Sequence, residues 1–143
     1  MTLQQLQTKF PQITQGNYRY TSPVDICYNC IAWAASENDV WWEPDGAYVY
    51  FWPLQAHRDY TIAAYLEAFG TKGFLPCLNP TVEGGFIKVA LYAHKNVPTH
   101  ASRQLDDGWW ASKLGPNIDI EHEIDALDGG EYGSIVHYLR KQV

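Results

Sequence analysis

No stretch of this 143-residue chain approaches the roughly 20 uninterrupted apolar residues that a membrane-spanning helix needs, so no membrane partner is expected. Cysteine is scarce, with three thiols in all. The first ten residues carry a single lysine and place Leu3, Leu6 and Phe10 on one stripe, instead of a charged end followed by an apolar run, so no export signal is expected. Reduced thiols and a cytoplasmic location follow as expectations. A basic stripe is also missing: 10 Lys and Arg stand scattered against 16 Asp and Glu, a net charge of −6, which argues against nucleic acid as a partner. With no internal repeat, low-complexity tract or linker, residues 1–143 are expected to form a single domain.

Aromatic residues are what the chain has in excess: six Trp, ten Tyr and five Phe, with tryptophans paired at Trp41 and Trp42 and at Trp109 and Trp110. Such side chains usually fill a core, but they also line clefts that stack a ligand. Trp41, Trp42 and Trp110 are therefore candidate binding residues, and Asn29 is counted with them.

Hydrophobic spacing gives a first helix from Thr2, which can cap it, to near Phe10, where Pro11 stops it. A polar loop around Gly16 and Asn17 follows, then a helix opening at Asp25 or Asn29. Tyr48–Trp52, closed by Pro53, reads as a short edge strand. Ile62, Tyr65, Leu66 and Phe69 fall at helical spacing, with Asp59 or Thr61 as cap and Gly70 as stop. Phe86–Ala93, Thr99–Leu105 and Trp109–Leu114 read as strands, the last two joined at Asp106-Asp107-Gly108. Asp119–Leu127 reads as a helix with Ile120, Ile124 and Leu127 inward, and Ser134–Arg140 as a last strand. Helices first and a sheet afterwards predict an α+β fold, with N-terminal helices packed on an antiparallel sheet.

The chemically pointed residue is Cys30. With Asn29 as N-cap, Cys30 would be the first helical residue, where the helix dipole favours a thiolate; with Asp25 as cap it would lie a turn inside. His100, at the opening of a strand, is the best placed imidazole to pair with it. A third group is open among Ser112, Asp119, Glu121 and His122. A three-residue hairpin loop Asp106–Gly108 would put His100, Ser102, Gln104, Trp110, Ser112 and Leu114 on one face, whereas with a two-residue Asp107-Gly108 loop Lys113 would replace Ser112 there. Cys27 and Cys30 have half the spacing of a zinc or redox site, and Cys77 with one His could supply the remaining ligands, but no second pair accompanies them, so neither metal nor cofactor is expected.

Tyr28-Asn29-Cys30-Ile31-Ala32-Trp33-Ala34, Lys88-Val89-Ala90-Leu91-Tyr92-Ala93, Pro98–Leu105, Ser112-Lys113-Leu114-Gly115 and Asp119-Ile120-Glu121-His122 together resemble a family of small, largely bacterial domains of unknown function. The likeness runs over nearly the whole chain and implies no activity. The order of a helix-borne Cys and a His-bearing sheet is similar to the papain-like superfamily, including transglutaminase-like and cell-wall-peptide amidase domains. His100-Ala101 and Gly108-Trp109-Trp110 resemble the transglutaminase-like strands, with Ser112-Lys113-Leu114 where that pattern has Asp. In the amidases the His opens a strand like Lys88–Tyr92, where this chain carries Lys88.

The first expectation is a cysteine hydrolase or acyltransferase acting on an amide or isopeptide bond. Cys30 would be nucleophile and His100 base, with a peptide, an amide-containing small molecule or a protein as partner. The alternative is a non-catalytic binding module that recognises a ligand or protein through its paired tryptophans.

Overall fold

The computed structural model describes residues 1–22, 30–36, 41–114 and 118–143. Its elements in chain order are α1 (Leu3–Lys9), β1 (Tyr18–Ser22), α2 (Cys30–Ala34), α3 (Ile62–Gly70), β2 (Leu75–Cys77), β3 (Phe86–His94), β4 (Val97–Gln104), β5 (Trp110–Lys113), β6 (Asp119–His122) and β7 (Ser134–Gln142). The seven strands form one antiparallel sheet in the order β1-β6-β5-β4-β3-β7-β2.

The expected α+β fold, with N-terminal helices packed on a sheet in a papain-like arrangement, is not what forms. The chain is predominantly β, and its described helices are only seven, five and nine residues long. Two segments account for most of the difference. Tyr18–Ser22, expected as loop, is the edge strand β1, paired with β6. Asp119–His122, expected as the start of a helix, is strand β6, held between β1 and β5. Ile120, Ile124 and Leu127 match helical spacing, but Ile120 and His122 also alternate, and both are fully buried. Two strands were there to pair with, and period two prevailed. Tyr48–Trp52 is irregular apart from one bridge between Phe51 and Trp42, and Tyr48 has a φ of 57°.

The sheet is the middle layer of three. Along β3, Val89 and Leu91 point to one core and Ala90 and Tyr92 to the other, which is why Lys88–Ala93 reads as a near-continuous apolar run. The first core joins Val89, Leu91, Ala101 and Leu139 to α2, α3 and the tryptophans Trp42 and Trp52. The second joins Ala90, Tyr92, Trp110 and Ile120 to Leu6, Phe10 and Ile13 at the amino end. Helix α1 forms there because Thr2 and Gln5 make a reciprocal capping box. Helix α3 starts at Thr61, whose hydroxyl accepts from the Ala64 amide at 3.1 Å.

The β4–β5 hairpin turns over Asp106, Asp107 and Gly108, with the Leu105 amide donating to the Trp109 carbonyl at 2.7 Å and Gly108 at a φ of 90°. Arg103 pairs with Ala111 and Gln104 with Trp110. This is the three-residue register, and it fixes which side chains share a face.

Candidate functional site

Consecutive residues of β4 point to opposite faces, and this separates Cys30 from His100. Cys30 opens α2 and belongs to the core that holds Ala101 and Leu91. His100 stands on the other face, against Tyr92, with ring centroids 5.2 Å apart. The structure therefore does not assemble the expected Cys-His pair. Asn29, Asp25 and Cys27 lie outside the described residues.

His100 instead joins a sealed polar network with two of the other predicted residues. His122 donates from Nδ1 to the Glu123 carbonyl at 2.7 Å, because a carbonyl can only accept, and its Nε2 then accepts from the Ser112 hydroxyl at 2.6 Å. The Ser112 oxygen, its proton given away, accepts from His100 Nε2 at 3.0 Å and is hydrogen-bonded to Ser102 at 2.7 Å. That tautomer leaves His100 Nδ1 a bare acceptor with no partner among the described residues. Burial pushes the His122 imidazole down to about 4. Burial, reinforced by the neighbouring His122, holds His100 well below the ordinary histidine value. Both rings are neutral at pH 7. A serine bonded to a neutral imidazole has the form of an activated hydroxyl. Here, however, His100, Ser102, Ser112 and His122 are at most 1% exposed, so no substrate reaches them. The network is part of the second core.

Asp119 is on the opposite face from these histidines, 3.6 Å from the Nζ of the buried Lys113. Register gives the reason: Lys113 pairs with Asp119 on the ladder, and Ser112 pairs with Ile120. Trp110 is a core residue, 1% exposed and tilted against Tyr138, and is not a binding surface.

Cys30, Trp41 and Trp42 do meet. They line a cavity of about 250 Å³ at the start of β4, together with Glu43, Tyr60, Tyr65, Pro98, Thr99 and Tyr132. Cys30 is 7% exposed, and burial pushes its thiol up to about 11; the Ala101 backbone and the charge of Lys113 oppose that rise without overcoming it. At neutral pH it is a neutral thiol. Helix α2 has five described residues, too few for its dipole to outweigh desolvation.

The walls are built from distant parts of the chain. Trp42 is clamped edge-on by Trp52 at 6.3 Å, and Trp52 packs on Tyr65 of α3 at 4.9 Å. The loop that presents Trp41 is tied by Arg58, which binds the Asp45 carboxylate at 3.0 Å and the Tyr50 carbonyl at 3.2 Å. Glu43 accepts from Tyr60 Oη at 2.6 Å and from Trp41 Nε1 at 3.3 Å. Burial and that bond to Glu43 push the Tyr60 phenol up to about 12, so it stays a donor. Tyr132 comes from the turn before β7 and is fixed by the Thr99 hydroxyl, which donates to its carbonyl, and by a stack on His100 with centroids 4.2 Å apart and planes 8° from parallel. The sealed histidine network thus supports one wall of the cleft from behind.

Sequence reasoning missed Glu43, Tyr60, Tyr65 and Tyr132. Glu43 follows the tryptophan pair directly, a carboxylate next to two aromatics, and that was a usable signal. Tyr132 carried none, since only the long-range pairing of Thr99 brings it in.

A larger open cleft of about 580 Å³ lies at the opposite end of β4, among Trp33, Arg103 and the Gly84-Gly85 turn, and contains none of the predicted residues. Among the described residues no group of three His, Cys, Asp or Glu side chains could hold a metal ion, and Cys77 lies on β2, three strands from β4. No described helix is long and apolar enough to cross a membrane. Comparison with curated proteins and with solved structures returned no match. A family model described as Domain of unknown function (DUF7689) matches residues 19–140, from β1 into β7, and the chain belongs to that family.

Proposed function

We propose that this chain is a non-catalytic recognition module whose aromatic cleft takes one side chain of a peptide or protein partner. The observation that carries the reading is the cavity itself, walled by Trp41, Tyr60, Tyr65 and Tyr132. At about 250 Å³ it falls below the roughly 300–1,000 Å³ of pockets for drug-sized ligands, and suits a group the size of a side chain. The surface beside it supports a polypeptide as the bearer of that group. Tyr48, Val49, Phe51 and Leu54, within one short segment, are 50% to 97% exposed, and Tyr50 of the same segment packs on Trp41 at 5.7 Å. Apolar side chains grouped in this way mark partner contacts more often than chance exposure.

The competing reading, a cysteine hydrolase acting on an amide or isopeptide bond, draws on one fact, that Cys30 lines the cleft. It lacks support from the imidazole, because His100 turns toward Ser112 on the far face.

The test is a titration of the native protein with a panel of capped tripeptides differing in the central side chain: aromatic, aliphatic, acidic and basic. The six tryptophan indole resonances are followed by NMR. The expected result is that at least one peptide shifts the Trp41 indole and leaves Trp109 and Trp110 in place. Indole shifts confined to Trp109, or no shift by any peptide into the millimolar range, would contradict it.

A further inference from the structure

Resting on that reading of the cleft, we infer that the side chain it takes carries an alkylammonium group, that of lysine or a methylated lysine. Among the described lining residues Glu43 is the sole charged side chain, and no Lys or Arg lines the cavity. An anionic ligand would therefore enter a site of the wrong sign, while a neutral one would leave the carboxylate without a counter-charge.

The position of Glu43 sharpens this. Its neighbour Asp45 is matched by Arg58 at 3.0 Å, but among the described residues Glu43 forms no ion pair. Its two hydrogen bonds come from neutral donors, the Tyr60 phenol and the Trp41 indole. A carboxylate offers about four lone-pair sites, so room remains for a further donor or a contacting cation. The aromatic walls favour the same charge, since the ring faces of Trp and Tyr attract a cation, and more strongly once it is desolvated. The titratable groups that share the wall with Glu43, the Cys30 thiol and the phenols of Tyr60, Tyr65 and Tyr132, are all pushed up by burial, stay neutral and do not compete. At longer range the net charge of −6 draws a basic peptide toward the surface.

Ammonium fits better than guanidinium. Arginine is recognised by a carboxylate presenting both oxygens in parallel. In Glu43 one oxygen already accepts from Trp41 and the other from Tyr60, so each keeps a single site and a parallel fork would need both of those to face the cavity. A compact point charge needs no such fork, and a trimethylammonium needs no acceptor at all.

The experiment uses three capped Gly-X-Gly peptides in which X is lysine, trimethyl-lysine or norleucine, the last sharing lysine's stem without its charge. The Trp41 indole is followed in the native protein and in Glu43→Gln, whose folding is checked by unchanged Trp109 and Trp110 signals. Expected is binding of a charged peptide at least about tenfold tighter than norleucine, which is about 1.4 kcal/mol. Glu43→Gln should bring the charged peptide to the norleucine level, and in the native protein added salt should weaken it while sparing norleucine. Equal binding of norleucine and both charged peptides overturns the cation inference and leaves the cleft reading standing, as does an aromatic or acidic peptide from the wider panel binding where these fail. Charged binding that survives Glu43→Gln and high salt also overturns it. No Trp41 shift with any peptide of either set removes both.

Discussion

Between pH 7 and pH 4.5 the folded state is expected to lose on the order of 2 kcal/mol of stability through His122 alone. Its folded pKa is lowered to about 4 by burial, against about 6.5 in the unfolded chain. In the window between those values the unfolded state binds a proton that the folded state does not. Stability is therefore fully present above about 6.5 and declines as the pH falls toward 4. His100, shifted in the same direction, adds to the loss. Asp45, Glu67 and Asp107, held low by their hydrogen bonds and ion pairs, lose their contributions only in the carboxylate range, so the upper part of the window isolates the imidazoles. Urea unfolding at pH 7, 5.5 and 4.5 reads the slope. His57 supplies a control within the molecule: its hydrogen bond to Glu67 at 2.9 Å raises its pKa, so it should titrate above 6.5 while His100 and His122 stay neutral. A flat stability profile, or titration of His100 and His122 near 6.5 in a folded protein, would contradict the sealed network.

Gly133→Ala is expected to destabilise the fold by on the order of 3–5 kcal/mol. Gly133 has a φ of 77°, and a Cβ there would meet the Ala93 carbonyl oxygen at 2.2 Å, a backbone atom that cannot swing aside. Its own amide donates to Gly130 at 3.0 Å and its carbonyl accepts from Gly129 at 2.8 Å, so the turn cannot relax without giving up both. Gly85→Ala is the matched control, because Gly85 has a φ of 83° but nothing within 4 Å of the new atom. It carries only the left-handed penalty, about 1–2 kcal/mol. The difference between the two variants in thermal or urea unfolding measures the clash. Any folded Gly133→Ala should also bind poorly in the cleft, because Tyr132 is its neighbour. Equal stability of the two variants would show that the turn is not rigid.

What the sequence disclosed depended on how local the signal was. Thr2 with Gln5, and Thr61 ahead of Ile62, are caps that act within four residues, and both helices start there. The turn at Asp106-Asp107-Gly108 was legible, but its length was not, and the pairing of Gln104 with Trp110 is what puts Ser112, and not Lys113, on the face of His100 and Ser102. The same register shows that Cys30 and His100 do not share a face, which spacing along the chain could not show. Strand β1 was illegible because an edge strand of Tyr, Arg and Thr has no apolar alternation of its own and exists through β6. Residues 119–127 were ambiguous between two periods, and tertiary pairing decided between them. The cleft was half legible: Trp41 and Trp42 stood out, while Tyr60, Tyr65 and Tyr132 converge on them only once α3 and the β7 turn are in place.

The most direct test of the account, in which Cys30 is a neutral wall of a binding cleft, is the pH dependence of its alkylation. Mass spectrometry that resolves the three cysteines would follow the native protein and Ser112→Ala, which removes the hydroxyl that holds His100 and leaves every cleft-lining side chain unsubstituted. The account predicts slow alkylation that rises only above the free-thiol value of about 8.5, toward the 11 set by burial, with the same midpoint in both proteins. A midpoint well below 8.5, shifted by Ser112→Ala, would contradict it and restore Cys30 as a nucleophile served by an imidazole.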